Sequence, residues 1–329
     1  MSLKKLVASI KRNKYFLITT HTNPEGDALG SELAFYRLLK KMGKRALIIN
    51  DDNLSCAYNF LPGINKIKKF KTKQRPIRFD CFVILDCSDL RRCGEVSKIN
   101  IYNKPIINID HHISNERFGD INWVEPYTSS TSEMIYKIYK KLRIPLDKKV
   151  ALSLYVGILT DTGSFRYSNT APLTHEMAAE FLRFKLDVPR IYKNIYENIP
   201  FPDMKLLSKI FSNVKRQLHG RIVWFQIEQS LLKHRIISID LTEHILSFAR
   251  AIKDVEVAVL FKENLRLKNE VRVNLRSQGK VDVNRIARFF GGGGHQTASG
   301  CTVGGRIQDV TRKVLKKIRE SFNESYIRY

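Results

Sequence analysis

Asp110-His111-His112 closes an apolar run, Ile106-Ile107-Asn108-Ile109, with three residues that can each bind or tune a cation. Ligands at the C-terminal mouth of a strand occupy the place where open α/β sheets carry their active sites. Three more segments join an apolar stretch to acids or histidines. His21-Thr22-Asn23-Pro24-Glu25-Gly26-Asp27 follows a strand-like run and offers the imidazole of His21 and the carboxylates of Glu25 and Asp27, with Pro24 and Gly26 to tighten the turn. Asp86 ends Val83-Ile84-Leu85, and Asp161 stands in Leu159-Thr160-Asp161-Thr162-Gly163 at the end of a helical stretch. Singly, such acids more often serve as helix caps or loop residues. Their joint order points to a metal centre.

The donors are imidazoles and carboxylates, with no thiolate among them. That mixture suits manganese best, with magnesium, cobalt or iron behind it and structural zinc disfavoured. Two ions about 3.5–4 Å apart need a bridging ligand and can activate a water for in-line attack on phosphorus. The donors suffice for two such sites. Adjacent histidines point in different directions, so one of His111 and His112 can bind metal while the other faces substrate. Asp110 can orient a ligand histidine through a hydrogen bond.

A second constellation lies downstream in Gly291-Gly292-Gly293-Gly294-His295. Glycines there allow backbone amides to approach a phosphate closely, and His295 can contact its oxygens. Upstream, Arg272-Val273-Asn274-Leu275-Arg276 alternates, so Arg272, Asn274 and Arg276 share one face of a strand. They can pair with phosphates and nucleobase edges.

The elements that must position these groups follow from periodicity. Strand signals cover 15–20, 45–50, 81–85 and 105–109, alternating with helix signals at 29–42, 130–142 and 150–159. Such alternation predicts an α/β fold with a mainly parallel sheet flanked by helices. Prolines in Asp187-Val188-Pro189 and Pro200-Phe201-Pro202-Asp203 limit helix continuation and predict a connector around a short helix. Beyond it, strands at 222–227, 255–261 and 270–275 and helices at 230–233, 242–251, 283–290 and 307–320 predict a smaller second α/β domain. The expected division is a first domain at 1–186, a linker at 187–203 and a second domain at 204–329.

At 329 residues the chain exceeds one ordinary core. Its 57 Lys and Arg against 32 Asp and Glu give a formal charge of +25, which favours polyanionic partners. The densest basic stretch, Lys66 to Arg78, reads as a solvated face rather than a dedicated RNA track. Five cysteines, Cys56, Cys81, Cys87, Cys93 and Cys301, form no CxxC pair and read as reduced thiols of a cytoplasmic protein. No apolar run approaches the roughly 20 residues of a membrane span, so no membrane partner is expected.

Taken together, the chain resembles the DHH phosphoesterases, within them the two-domain branch of nanoRNA oligoribonucleases and pAp phosphatases. The resemblance rests on His21-x3-Glu25-x-Asp27-Ala28-Leu29-Gly30-Ser31, Asp86-Cys87-Ser88, Asp110-His111-His112, Thr160-Asp161-Thr162-Gly163 and Gly291-Gly292-Gly293-Gly294-His295. It implies two manganese ions: His21 and Glu25 hold one, Asp27, His111 and Asp161 the other, and Asp86 bridges them. His112 would stabilise or protonate near the scissile phosphate. Arg276, with Arg272, Gly292, Gly293, Gly294 and His295, would meet the substrate's terminal phosphate or base, and the second domain would close over the first across a cleft. Glu25 departs from the family pattern, which has Asp there; its stem is one methylene longer. The implied activity is hydrolysis of short single-stranded oligoribonucleotides and of 3′-phosphoadenosine 5′-phosphate. The same motifs also fit a cyclic-di-AMP or linear di-adenylate phosphodiesterase. A nucleotide-binding protein without catalysis is the alternative of another class. Pairing of sheet edges could give a homodimer.

Overall fold

A computed structural model describes residues 3–72, 76–233, 241–265 and 267–326, with the backbone alone at 323–326. It divides into two compact units, Met1–Asn198 and Ile199–Tyr329.

The first unit runs α1 (Leu3–Arg12), β1 (Tyr15–Thr19), α2 (Gly26–Lys41), β2 (Arg45–Asn50), β3 (Ile67–Lys69), β4 (Cys81–Leu85), a run of 3-10 turns at Leu90–Ile99, β5 (Ile106–Asp110), β6 (Ile121–Val124), α3 (Thr131–Leu142), α4 (Lys148–Asp161), α5 (Pro172–Leu182) and α6 (Val188–Tyr196). Its strands form one parallel sheet in the order β3-β2-β1-β4-β5-β6. The order reverses between β1 and β4, which opens a crevice at their carboxyl ends. Thr20 Oγ1 donates to the Leu85 carbonyl at 2.8 Å and ties those two ends together.

The central strands are mostly apolar because both faces of the sheet are covered. Phe16, Ile18, Val83, Leu85, Ile107 and Ile109 pack with Leu29, Leu33, Met134 and Ile158 of the helices. Leu17, Phe82 and Ile84 point the other way, against Phe79, Cys93 and Val96. The helix read from Leu29 begins one turn earlier, at Gly26, because Glu25 takes extended backbone as the N-cap. Asp27 therefore lies in the helix's first turn. Two glycines let α2, α3 and α4 approach closely: a Cβ on Gly30 would collide with the Ser153 carbonyl, and one on Gly157 with the Ser132 hydroxyl.

The second unit runs α7 (Phe201–Phe211), β7 (Lys215–Gln217), β8 (Ile222–Ile227), α8 (Gln229–Leu232), α9 (Leu241–Arg250), β9 (Val257–Glu263), β10 (Glu270–Ser277), α10 (Val283–Phe289), β11 (Gly293–Gly294), β12 (Ala298–Gly304) and α11 (Ile307–Tyr326). Its mixed sheet has the order β11-β12-β10-β9-β8-β7, with β8 and β9 parallel and the other pairs antiparallel. One face packs on α10 and α11 through Trp224, Val259, Val273, Ile286 and Val314. The other packs on α7 and α9 through Phe225, Leu260, Leu206 and Ile245. That second cluster includes no β10 side chain, so β10 alternates: Val271, Val273 and Leu275 are buried, Arg272 is exposed, and Asn274 and Arg276 are half-buried.

The segment 187–203 holds more structure than a connector. Its α6 buries Ile191 in the first unit's core, and α7 of the second unit begins at Phe201. In the basic stretch, Lys66, Lys68, Lys69, Lys71 and Arg78 are exposed, while Lys73 and Arg75 lie outside the described residues. No helix among the described residues is long and apolar enough to cross a membrane.

Candidate metal centre

Three strand ends and two helix ends bring the first unit's ligand-type residues together. His21 follows β1, Asp86 follows β4, and Asp110 is the last residue of β5, with His111 and His112 next in the chain. Asp27 enters from the first turn of α2 and Asp161 from the last residue of α4. Asp86 takes left-handed backbone, φ +52°, a region that residues other than glycine seldom occupy.

Asp86 is the centre of the cluster. Its Oδ2 lies 3.6 Å from His21 Nε2, and its Oδ1 lies 3.6 Å from His111 Nε2 and 3.7 Å from His112 Nδ1. Thr131 Oγ1 donates to the same Oδ1 at 3.2 Å. His111 Nε2 also stands 3.4 Å from Asp161 Oδ2 and 4.0 Å from Asp27 Oδ2, so one imidazole faces three carboxylates. Asp27 in turn caps a helix other than its own: its Oδ2 accepts from the Thr131 amide at 2.7 Å and its Oδ1 from the Ser132 amide at 2.8 Å, both at the start of α3. The positive end of α3 suits an anion there.

Burial of these like charges is costly without a cation. Burial and the Asp86 charge push the Asp27 carboxyl up to about 6. Burial, with Asp27, Asp86 and Glu25 nearby, raises Asp161 well above the carboxylate range even though His111 opposes it. Asp86 goes the other way: burial would raise it, but His21, His112 and His111 together hold it far below. Burial lowers His111, yet Asp161, Asp86 and Asp27 outweigh it and carry the imidazole up to about 9.

The donor set fits a divalent cation. Donor atoms of Asp27, Asp86 and His111 all lie within 4.8 Å of one another, and so do those of Asp86, Asp110 and His112; both sets are oxygen and nitrogen only. In the second set Asp110 is already engaged. Its Oδ1 is 2.7 Å from His112 Nδ1, and its Oδ2 accepts from Asn115 Nδ2 at 2.6 Å. These bonds make Asp110 an orienter of His112. Glu25 is exposed at the N-cap of α2 without a side-chain cap bond, and it is felt by Asp161 as a nearby negative charge.

The protonation pattern gives the chelated protein a defined pH response. The folded-state His111 lies above its unfolded value of about 6.5, so its stabilising contribution is complete below that pH and is lost as pH rises towards 9. Asp27 loses its contribution in the same direction at lower pH, from about 4 to 6. The melting temperature of the chelated protein should therefore fall between pH 6.5 and 9. A saturating divalent cation should flatten that fall, because it binds the deprotonated donors. Melting curves of the two forms across this range are the check, and parallel slopes would contradict it.

Asn115 carries no periodicity signal and escaped the sequence reading. Its Nδ2 donates to Asp110 Oδ2, to Asn108 Oδ1 at 2.8 Å and to the Cys87 carbonyl at 3.2 Å. It thereby joins the loop after His112 to β5 and to the residue that follows Asp86. Partners that orient a ligand or catalytic histidine are typically worth about 10–100-fold in activity. Asn115→Ala should lower kcat within that range and move the pH optimum as Asp110 loses a donor. An unshifted profile would assign Asn115 a packing role only.

In the second unit, Arg272 Nη1 donates to Thr302 Oγ1 at 3.3 Å, and Arg276 Nη2 pairs with Glu243 Oε2 of α9 at 3.1 Å. The glycine run is only partly a loop. Gly293 and Gly294 pair with Gly300 and Ser299 of β12, and Gly294 has φ +142°. A Cβ on Gly292 would collide with the Gly300 carbonyl, so this glycine already has a packing reason. His295 starts the turn into β12, its amide donating to the Ala298 carbonyl at 2.8 Å.

Comparison with known proteins agrees with this architecture. The model of the DHH family, N-terminal domain, matches residues 15–158, and that of the DHHA1 domain matches residues 232–324. The bifunctional oligoribonuclease and PAP phosphatase NrnA of Thermus thermophilus is 30% identical over 309 residues, covering 94% of this chain and 90% of that protein. The NrnA protein of Bacillus subtilis is 26% identical over 302 residues, covering 91% and 92%. The crystal structure of an exopolyphosphatase-related protein from Bacteroides fragilis superposes with a TM-score of 0.84 at 26% identity, over 97% of this chain and 95% of that one. A parallel sheet with its acids and histidines gathered at the strand-order reversal, a second unit with the glycine run, and relatives matched along nearly their whole length converge on one assignment: the chain belongs to the DHH family of phosphoesterases, with a DHHA1 domain as its second unit.

Proposed function

We propose that this protein hydrolyses short single-stranded oligoribonucleotides to mononucleotides and dephosphorylates 3′-phosphoadenosine 5′-phosphate to AMP, with two manganese ions. The observation that carries the reading is the Asp86 carboxylate, which turns one oxygen to His21 and the other to His111. A shared ligand between two ions needs that disposition. The names of the relatives supply the substrate class.

In this reading Asp27, Asp86, His111 and Asp161 hold one ion, and His21, Glu25 and Asp86 the other. Bound there, the ions would polarise a phosphoryl oxygen and lower the pKa of a water. Glu25 is exposed, so its longer stem has room to reach. His112, held at Nδ1 by Asp110, would stabilise the scissile phosphate or protonate near it. Arg272 and Arg276, with Gly292, Gly293, Gly294 and His295, bind the terminal phosphate or base. The charge of +25 draws such anions in. The free thiols suit the cytoplasm, where they stay reduced.

The test is a substrate panel on chelated protein with and without added manganese: linear diribonucleotides, 3′-phosphoadenosine 5′-phosphate, cyclic di-AMP, pyrophosphate and longer RNA. Manganese-dependent turnover of the first two, with little on long RNA, is expected. Preference for cyclic di-AMP would move the assignment to signal hydrolysis. Nucleotide binding without turnover on any arm would make the protein a nucleotide-binding one.

A further inference from the structure

We propose that Arg92 is a substrate-binding residue of the metal centre and contacts a non-bridging oxygen of the scissile phosphate; this rests on the hydrolase reading above. Arg92 lies in the 3-10 run after β4 and is fastened to both loops at the strand-order reversal. Its carbonyl accepts from the amide of Thr22, next to His21, at 2.7 Å. Its Nη1 donates to Ser88 Oγ, two residues past Asp86, at 3.3 Å.

The neighbouring arginine provides the contrast. Arg91 is 80% exposed and spent on Asp89 and Glu116. Arg92 is half-buried, and among the described residues it makes no ion pair within 4 Å of a carboxylate. A guanidinium has five donor hydrogens in a fixed fork, and the Ser88 bond engages only one side of it. Once the carboxylate cluster held divalent ions, a partly desolvated guanidinium beside them would be unfavourable unless a further anion joined it. An anion that would meet both the bound ions and a planar fork is a phosphate ester, which Arg binds through two parallel bonds and Lys only as a point charge.

The experiment uses the full chain loaded with manganese. Steady-state hydrolysis of a diribonucleotide and calorimetric binding of AMP are measured for the wild type, Arg92→Ala and Arg92→Lys. Arg92→Ala should lose about 10- to 100-fold in kcat/KM and a similar factor in AMP affinity, the scale of hydrogen bonds to a charged group. Arg92→Lys should recover part of both. Added guanidinium ion should partly restore Arg92→Ala and leave the wild type unchanged, while melting temperature and manganese affinity stay at wild-type values. Retention of kcat/KM and AMP affinity within twofold overturns the proposal. So does their loss together with the melting temperature and without guanidinium rescue, since that marks a structural tie between loops. If the wild type turns over no substrate, the hydrolase reading fails, and weakened AMP binding in Arg92→Ala still supports the phosphate contact.

Discussion

Asp86→Asn should reduce turnover by roughly a thousandfold or more, since several kcal/mol of transition-state stabilisation depend on metal geometry. The substitution keeps the shape and removes the charge. An amide oxygen can still accept from Thr131 Oγ1, so the local fold has no reason to change. It cannot serve as an anion between His21 and His111, each 3.6 Å from one carboxylate oxygen. Divalent-cation affinity and kcat should fall together. The melting temperature of the chelated protein should fall as well at neutral pH, because the amide no longer offers His21, His111 and His112 the charge that they hold ionised in Asp86. Activity retained within tenfold would remove Asp86 from the bridging role and shift attention to the Asp110–His112 pair.

Gly157→Ala is the second large effect, and it acts through packing. The added Cβ would strike the Ser132 hydroxyl and stand 2.6 Å from Ser132 Cβ and 2.8 Å from Asp27 Oδ1. Overpacking of this kind costs about 1–3 kcal/mol. The collision falls on the side chain of Ser132, whose amide holds Asp27, and on the Asp27 carboxylate itself, so metal affinity should drop as well as stability. Gly43→Ala is the natural control. Gly43 has φ +71° and open space around it, so alanine there costs about 1 kcal/mol of backbone strain and leaves metal binding alone. Equal metal affinity in the two variants would break the link between the helix contact and the site.

The contrast between what the residues announced and what only the fold disclosed is instructive. Asp110-His111-His112 was legible because β5 is buried on both faces and reads as an apolar run, interrupted only at Asn108, that ends in ligand-type residues. His21 and Asp86 were legible for the same reason on β1 and β4. β6 was not: Ile121–Val124 is four residues long, and only Trp123 is fully buried. Asn115 and Arg92 gave no signal, because both lie outside the periodic elements and act through contacts with residues distant in the chain or around a turn. The glycine run was read as a phosphate cradle, yet Gly293 and Gly294 also form a strand, since backbone pairing with β12 leaves no trace in side-chain pattern. At 187–203 the prolines were read as interrupting structure. Pro189 and Pro202 stand instead in the first turns of α6 and α7, and Pro200 is the N-cap of α7, where their missing amide donors cost nothing.

Asp27 belongs to two helices at once, covalently to α2 and by both carboxylate oxygens to the amides that open α3. A ligand clamped at both ends has almost no rotameric slack. The aperture it presents is fixed by the spacing of helices, and that spacing is set where Gly30 and Gly157 leave no room for a methyl group. In the proposed two-ion reading, the cluster would work as a gauge whose jaws are backbone. Ions that differ in radius by a few tenths of an ångström would meet a frame that resists adjustment, and selectivity among them would be a property of close helix packing, remote in sequence from most of the carboxylates and imidazoles of the cluster.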